Sequence, residues 1–362
     1  MGFVKGICST SEIQKNGIGD TTAASSLRRL DKQVERNSAL DFTKGVLVLF
    51  MVLYHWLNYF VSRQGEFYKY LRFITPSFIF ITGFLIANVY LEKYAIGDPR
   101  LHKRLIIRGS KLLLLFTILN LSLSLSGVRM HMGMLGGVKS FLRAAPAIYL
   151  SGNGGAAAFS ILVPISYLLL ASSLLLLPCK WNKCFFHAVC VFSVLSIYIL
   201  YLNGTGSSYL ELFTMGLFGI VVGMLPIQRI NWFARYLASV IIAYVAYVIL
   251  LTIWKEIYPL QVVGVFLSLL LIYAVGLRIE ENGWGQSQMV ELLGKYSLLA
   301  YIVQIGVVLV LSKTLTRFNL GKAVFLISFV AVFSVTIAAV ACVGFARSKS
   351  HGVDRLYRFV FA

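Results

Sequence analysis

The stretch from Arg36 to Ser62, RNSALDFTKGVLVLFMVLYHWLNYFVS, constrains the fold more than any other. It is apolar over a length that crosses a bilayer, yet it carries His55 in its interior. A spanning helix needs about 20 apolar residues, because each adds roughly 1.5 Å toward about 30 Å of hydrocarbon. Polar and charged residues gather at its leading edge, in Arg36, Asp41 and Lys44. Lys44 and His55 are about three helical turns apart and so share nearly one face. With Lys44 at one membrane surface, His55 lies roughly 16 Å deeper, near the midplane. An ionisable group at that depth is costly unless it faces protein or water, which makes it a functional candidate. The plainer reading is a neutral histidine hydrogen-bonded to a neighbouring helix.

The rest of the chain matches this beginning. Of its 362 residues 58% are hydrophobic and only 13% charged, which fits a polytopic membrane protein rather than a soluble domain. The expected fold is all-α, an integral helical bundle of about ten transmembrane helices. A formal net charge of +19 would suggest nucleic acid in a soluble protein. Here it follows from the basic bias of cytoplasmic loops and their attraction to anionic lipid, and no nucleic-acid partner is expected. Cys8, Cys179, Cys184, Cys190 and Cys342 match no metal spacing, and their odd number argues against a disulfide framework. No metal is expected.

Taken in order, residues 1–35 are polar and read as a disordered cytoplasmic tail. Spans are expected near 45–62, 71–92, 104–126, 156–177, 185–202, 208–226, 233–253, 259–278, 291–312 and 322–346. Residues 347–362 form a cytoplasmic C-terminal tail. The loop 127–155 is Gly-rich but not very polar, and its VKSFLRAAPAIYL segment suits either the interface or a dip back into the protein. An even span count puts both termini on one side. The basic residues near residue 30, in 93–108 and in the C-terminal tail place that side in the cytoplasm.

Two groups of residues carry chemistry. In the first, Asp41 and Lys44 pair at a helix start, with His55 deep in the same helix. In the second, Arg104, Arg108 and Lys111 follow an i, i+4, i+7 spacing on one face at the start of the third span. They add to a helix N-terminus that already attracts anions, so they repel one another unless an anion is bound. Phosphate suits them, because guanidinium groups bind it in a bidentate manner. The plainer readings are a snorkelling lysine and the ordinary positive-inside excess. Together the two groups suit an elongated donor with a charged nucleotide head and a thin arm, the shape of acyl-coenzyme A. His55 would then deprotonate an acceptor hydroxyl or amine, or accept the acyl group itself. Asn58 lies on roughly the His55 face and suits a substrate-orienting role, as do Asp41 and Thr82. His131 ranks lower, and Glu211, Gln304 and Asn120 read as helix–helix glue.

The order of these elements resembles the transmembrane acyltransferase superfamily, which includes acyltransferase family 3 and the heparan-α-glucosaminide N-acetyltransferase-like proteins. The residues that carry the resemblance begin with Arg36, Leu40-Asp41, Lys44-Gly45 and His55. FIFITGFLIA follows, with Thr82 where the family has serine, then KRLIIRGSKLLLL and LLGKYSLLAYIVQ. The resemblance covers roughly residues 36–345. Lys44 stands where arginine is commoner, and Pro164 and Gln304 stand where histidine is often found. The resemblance implies a membrane acyltransferase domain over 36–346, a donor entering from the cytoplasm and a glycan acceptor on the far side. It implies catalysis by His55 and donor binding by Lys44, Arg104 and Arg108. The expected donor is acyl-CoA, acetyl-CoA first, and the expected location is a bacterial inner membrane. The rival reading is a transporter or lipid-handling protein whose His55 relays protons or only packs.

Overall fold

The computed structural model describes residues 37–61, 65, 68–125, 137–151, 159–180, 184–254, 257–283, 288–315 and 323–361. The chain divides into two units, Met1–Asn37 and Ser38–Ala362, and the fold that follows is that of the second. The expected tail 1–35 and His131 lie outside the described residues.

Among the described residues there are helices and no strands. The spans are α1 (Ser38–Val61), α2 (Tyr68–Lys93) and α3 (Pro99–Leu125). Next come α4 (Gly137–Pro146), α5 (Leu162–Leu175), α6 (Cys184–Leu202), α7 (Ser208–Gly223), α8 (Ile227–Arg235) and α9 (Leu237–Ile253). The chain ends with α10 (Tyr258–Glu281), α11 (Gln288–Lys295), α12 (Ser297–Leu315), α13 (Ala323–Lys349) and α14 (His351–Phe361). Seven of these helices are long and apolar enough to cross a membrane. An eighth is added if α7 and α8, bent by 97° at their junction, count as one broken span. The protein is thus a polytopic helical bundle. Helices also cover the remaining expected stretches, but α5 and α9 are shorter apolar helices.

Local sequence sets several boundaries. Asp98 caps α3, its Oδ1 accepting from the Arg100 N–H at 2.8 Å, and Pro99 takes the first helical position, where its missing N–H is no loss. At Pro226 the helical path of α7 stops and the amphipathic α8 sets off at its new angle. Several helix hydroxyls bond back to the carbonyl one turn earlier, as Ser77 does to Phe73 and Thr214 to Leu210, and so are satisfied without leaving their own helix.

Two crossings are closed to the backbone by glycine. Between α2 and α7, a Cβ on Gly83 would lie 2.0 Å from the Gly216 carbonyl oxygen, and one on Gly219 2.0 Å from that of Phe80. Between α1 and α11, a Cβ on Gly45 would lie 1.9 Å from the Val290 oxygen, and one on Gly294 1.7 Å from the Asp41 oxygen. Without a side chain at these positions the helices touch through their main chains, the packing favoured where lipid removes the hydrophobic drive for association.

The structure differs from the sequence reading in three places. The expected span 291–312 is α11 and α12 with a break at Tyr296; Tyr296 N still bonds Leu292 O and Ala300 N still bonds Tyr296 O, so the path bends while keeping its hydrogen bonds. Residues 351–361 of the expected C-terminal tail form α14, which begins after Ser350. In the 127–155 loop, α4 continues into a π-helical turn, Ala147–Ser151, with Ile148 fully buried. Tyr167 donates to Tyr149 O at 2.7 Å and Tyr209 donates to Ile148 O, which ties that turn to α5 and α7.

Candidate active site

The site begins at the first turns of α1. Asp41 is 6% exposed, and Lys44 Nζ lies 2.5 Å from its Oδ1. The Gly45–Val290 and Gly294–Asp41 approaches bring α11 against this turn, and with it Lys295. A cavity of about 200 Å³ opens here. Its charged lining is Lys44, Arg108 and Lys295, and Thr82 and Ser297 add hydroxyls. Its apolar walls come from α1, α2, α3, α5 and α12. Met51 lines it two turns below Lys44, roughly 10 Å along the helix.

Tyr301 of α12 also lines the cavity. Its ring centroid lies 6.4 Å from that of His55, tilted by 43°. His55 is half-buried and does not line the cavity itself, so Tyr301 is the neighbour that links the two. Tyr54 meets His55 edge-on at 5.2 Å. Among the described residues no hydrogen bond to the His55 imidazole is present. Tyr301 is held from its other side by Phe159, edge-on at 5.9 Å. Phe159 is buried with φ of 60°, a left-handed conformation rare for a bulky residue and typical of strain kept at functional sites. Immediately after His55 and Trp56, α1 continues as a π-helical turn, Leu57–Val61. Such turns shift side chains to a new face. Asn58 lies in it, its Oδ1 buried and without a partner among the described residues, and it does not line the cavity.

The expected cation cluster on α3 does not converge. Arg108 lines the cavity, its Nη1 donating to the Tyr90 hydroxyl at 2.6 Å. Arg104 lies over the Tyr94 ring at 5.0 Å and contributes nothing to the cavity wall. Lys111 lies over Phe359 at 5.6 Å. An i, i+4, i+7 stripe runs about two turns along the helix, and of its three residues only Arg108 meets the cavity. Of the other polar candidates, Glu211 accepts from Tyr201 at 2.7 Å, which ties α6 to α7. Asn120 bonds Phe116 O within its own helix. Gln304 is fully buried, and both ends of its amide are unpartnered among the described residues.

Lys295, Tyr301, Tyr357 and Phe361 line the cavity and were not singled out from sequence. The signal for the first two was present, since both belong to the LLGKYSLLAY motif. Nothing local marked Tyr357 or Phe361. A second cavity, of about 260 Å³, lies between α1, α2, α7, α8 and α10. Among the described residues its polar side chains are Thr43, Arg229 and Tyr273; Thr43 bonds Ala39 O and Tyr273 bonds Asn231. Among the described residues no cluster of metal-ligating side chains exists.

A bundle of apolar helices enclosing a cation-rimmed cavity, with an imidazole beside its lining tyrosine, is the arrangement of a membrane-embedded group-transfer protein. The family model of the acyltransferase domain (acyltransferase family 3) matches residues 37–344, and the chain belongs to that family. It is accordingly a membrane acyltransferase in general class. No characterised protein and no solved structure matches it.

Proposed function

We propose that the protein moves an acyl group, acetyl first, from cytoplasmic acyl-CoA to a hydroxyl or amine of an extracytoplasmic glycan. In this reading the helices covering the ten expected stretches all cross a bacterial inner membrane, and both termini face the cytoplasm. The observation that carries the reading is a single path of side chains. It runs from Lys44, Arg108 and Lys295 at the rim of the cavity to Tyr301 in its lining, and from Tyr301 to His55.

The three cations neutralise donor phosphates, which guanidinium and ammonium groups bind at a helix start. The apolar walls hold the thin arm and exclude water. His55 takes the proton from the acceptor as its oxygen or nitrogen attacks the thioester carbonyl. The carbon–sulfur bond then breaks, and the imidazolium returns the proton to the departing thiolate. Thr82 and Asn58 orient the reactants, and Asp41 holds Lys44 in place. Because Tyr301, not His55, lines the cavity, its ring must turn or the thioester must pass beside it. No metal takes part.

The test is transfer of labelled acetyl from acetyl-CoA to surface glycan in membranes, comparing the native chain with His55→Ala. Loss of transfer with donor binding retained supports the reading. Unchanged transfer removes His55 from the mechanism, and transport without transfer favours the rival reading.

A further inference from the structure

The C-terminal helix lines the same cavity. After α13 ends at Lys349, the chain passes through Ser350, whose backbone oxygen accepts from Asp354 N, into α14, which supplies Tyr357 and Phe361 to the lining. Arg347 fastens α14 to the end of α13. Its Nε and Nη2 donate to Asp354 Oδ1 at 2.9 and 2.5 Å, and Arg358 meets Asp354 Oδ2 at 2.7 Å. The Arg347 guanidinium also lies 4.0 Å over the Tyr357 ring and 5.3 Å over that of Tyr296, at the α11–α12 break. Tyr357 in turn stacks with Phe361 at 4.8 Å. Tyr357 and Phe361 line the cavity beside its cations, while Leu356 and Phe359 on the outer side are 63% and 72% exposed.

The cavity measures about 200 Å³ and is partly open, below the roughly 300–1,000 Å³ of ordinary small-molecule sites. A donor of coenzyme size exceeds it, so the donor's head must lie at the open rim. The wall that α14 supplies there is held by side-chain contacts. Its cavity-facing residues are aromatic, set beside a phosphate-sized group of cations. That pairing recognises a nucleotide, an aromatic base beside an anionic phosphate.

We infer that α14 forms the outer wall of the donor site, and that Tyr357 and Phe361 contact the heterocyclic head of the donor. This wall makes the site selective for a nucleotide-bearing thioester over a short one. The inference rests on the proposed acyl-CoA reading. It adds that the distal head, not only the phosphates, is bound by residues beyond the matched acyltransferase domain.

The test compares the full-length native chain with Phe361→Ala and Tyr357→Ala, and with Phe361→Tyr and Tyr357→Phe as conservative controls. Each is assayed with acetyl-CoA and with acetyl-pantetheine, which lacks the nucleotide. The expected result is a rise in KM for acetyl-CoA of about tenfold in the alanine variants, with kcat unchanged. KM for acetyl-pantetheine stays within twofold, and the conservative variants restore the native value. Equal change with both donors, a fall in kcat alone, or no change overturns the assignment of α14 to the donor head while leaving the donor reading intact. Failure of the native chain to bind coenzyme A in an equilibrium assay overturns both.

Discussion

The Tyr301 ring stands 6.4 Å from the His55 ring, and it is Tyr301, not the imidazole, that faces the cation-rimmed cavity. In the proposed reading, the way to His55 passes this aromatic side chain, which meets Phe159 at φ 60° edge-on. Replacing Tyr301 with Phe keeps the wall and removes only the hydroxyl, so turnover should fall less than threefold. Replacing it with Trp enlarges the wall, so turnover should be lost while coenzyme A still binds. Rates and equilibrium binding measured on the same membranes check both.

His55→Ala should cut acyl transfer by about 10²–10⁴, the usual contribution of a positioned general base. Among the described residues its ring has no hydrogen bond to lose, so the thermal midpoint in detergent should barely move. A large fall in that midpoint would instead mark His55 as a packing residue.

Arg108 and Lys295 line the cavity, whereas Arg104 lies on Tyr94 outside it. Charge-assisted contacts contribute about 1.5–3 kcal/mol, so Arg108→Ala or Lys295→Ala should weaken coenzyme A binding tenfold to a hundredfold. Arg104→Ala should change it less than threefold. Titration calorimetry on the purified protein separates the two outcomes.

Gly45→Ala places a methyl 1.9 Å from the Val290 carbonyl oxygen, a contact that only backbone movement relieves. Overpacking of this kind costs about 1–3 kcal/mol, and little folded protein should survive detergent extraction. Gly306→Ala, where nothing lies within 4 Å of the added carbon, should be neutral or slightly stabilising. Size-exclusion yield of the two variants gives the comparison.

Hydrogen bonds from Arg347 hold the Asp354 carboxyl below its ordinary range. A depressed carboxylate adds stability above the unfolded value, about 3.9, and that stability is lost only as pH falls through the folded value. Docking of α14 should therefore be constant from pH 5 to 8 and loosen only in stronger acid. Asp354→Asn should loosen it at every pH. Proteolysis after Arg355 or Arg358 reports the change.

Helical arithmetic made much of this legible in the sequence. The Lys44–His55 spacing, the Asp41–Lys44 pair and the basic start of α3 are local patterns, and the structure keeps each of them. What sequence reasoning missed depends on contacts between distant segments. Lys295 reaches the rim because glycines at 45 and 294 let α11 touch α1. Arg104 misses the cavity because Tyr94 takes its guanidinium. The tail becomes α14 through Arg347 and Asp354, a pairing that no hydropathy average registers.

The crossing of α2 and α7 through Gly83, Gly216 and Gly219 has one further consequence. Main chains in direct contact leave no side-chain layer to shear, so this pair acts as a keel that cannot slip. Variation in donor or acceptor can then gather at the rim without disturbing the frame beneath.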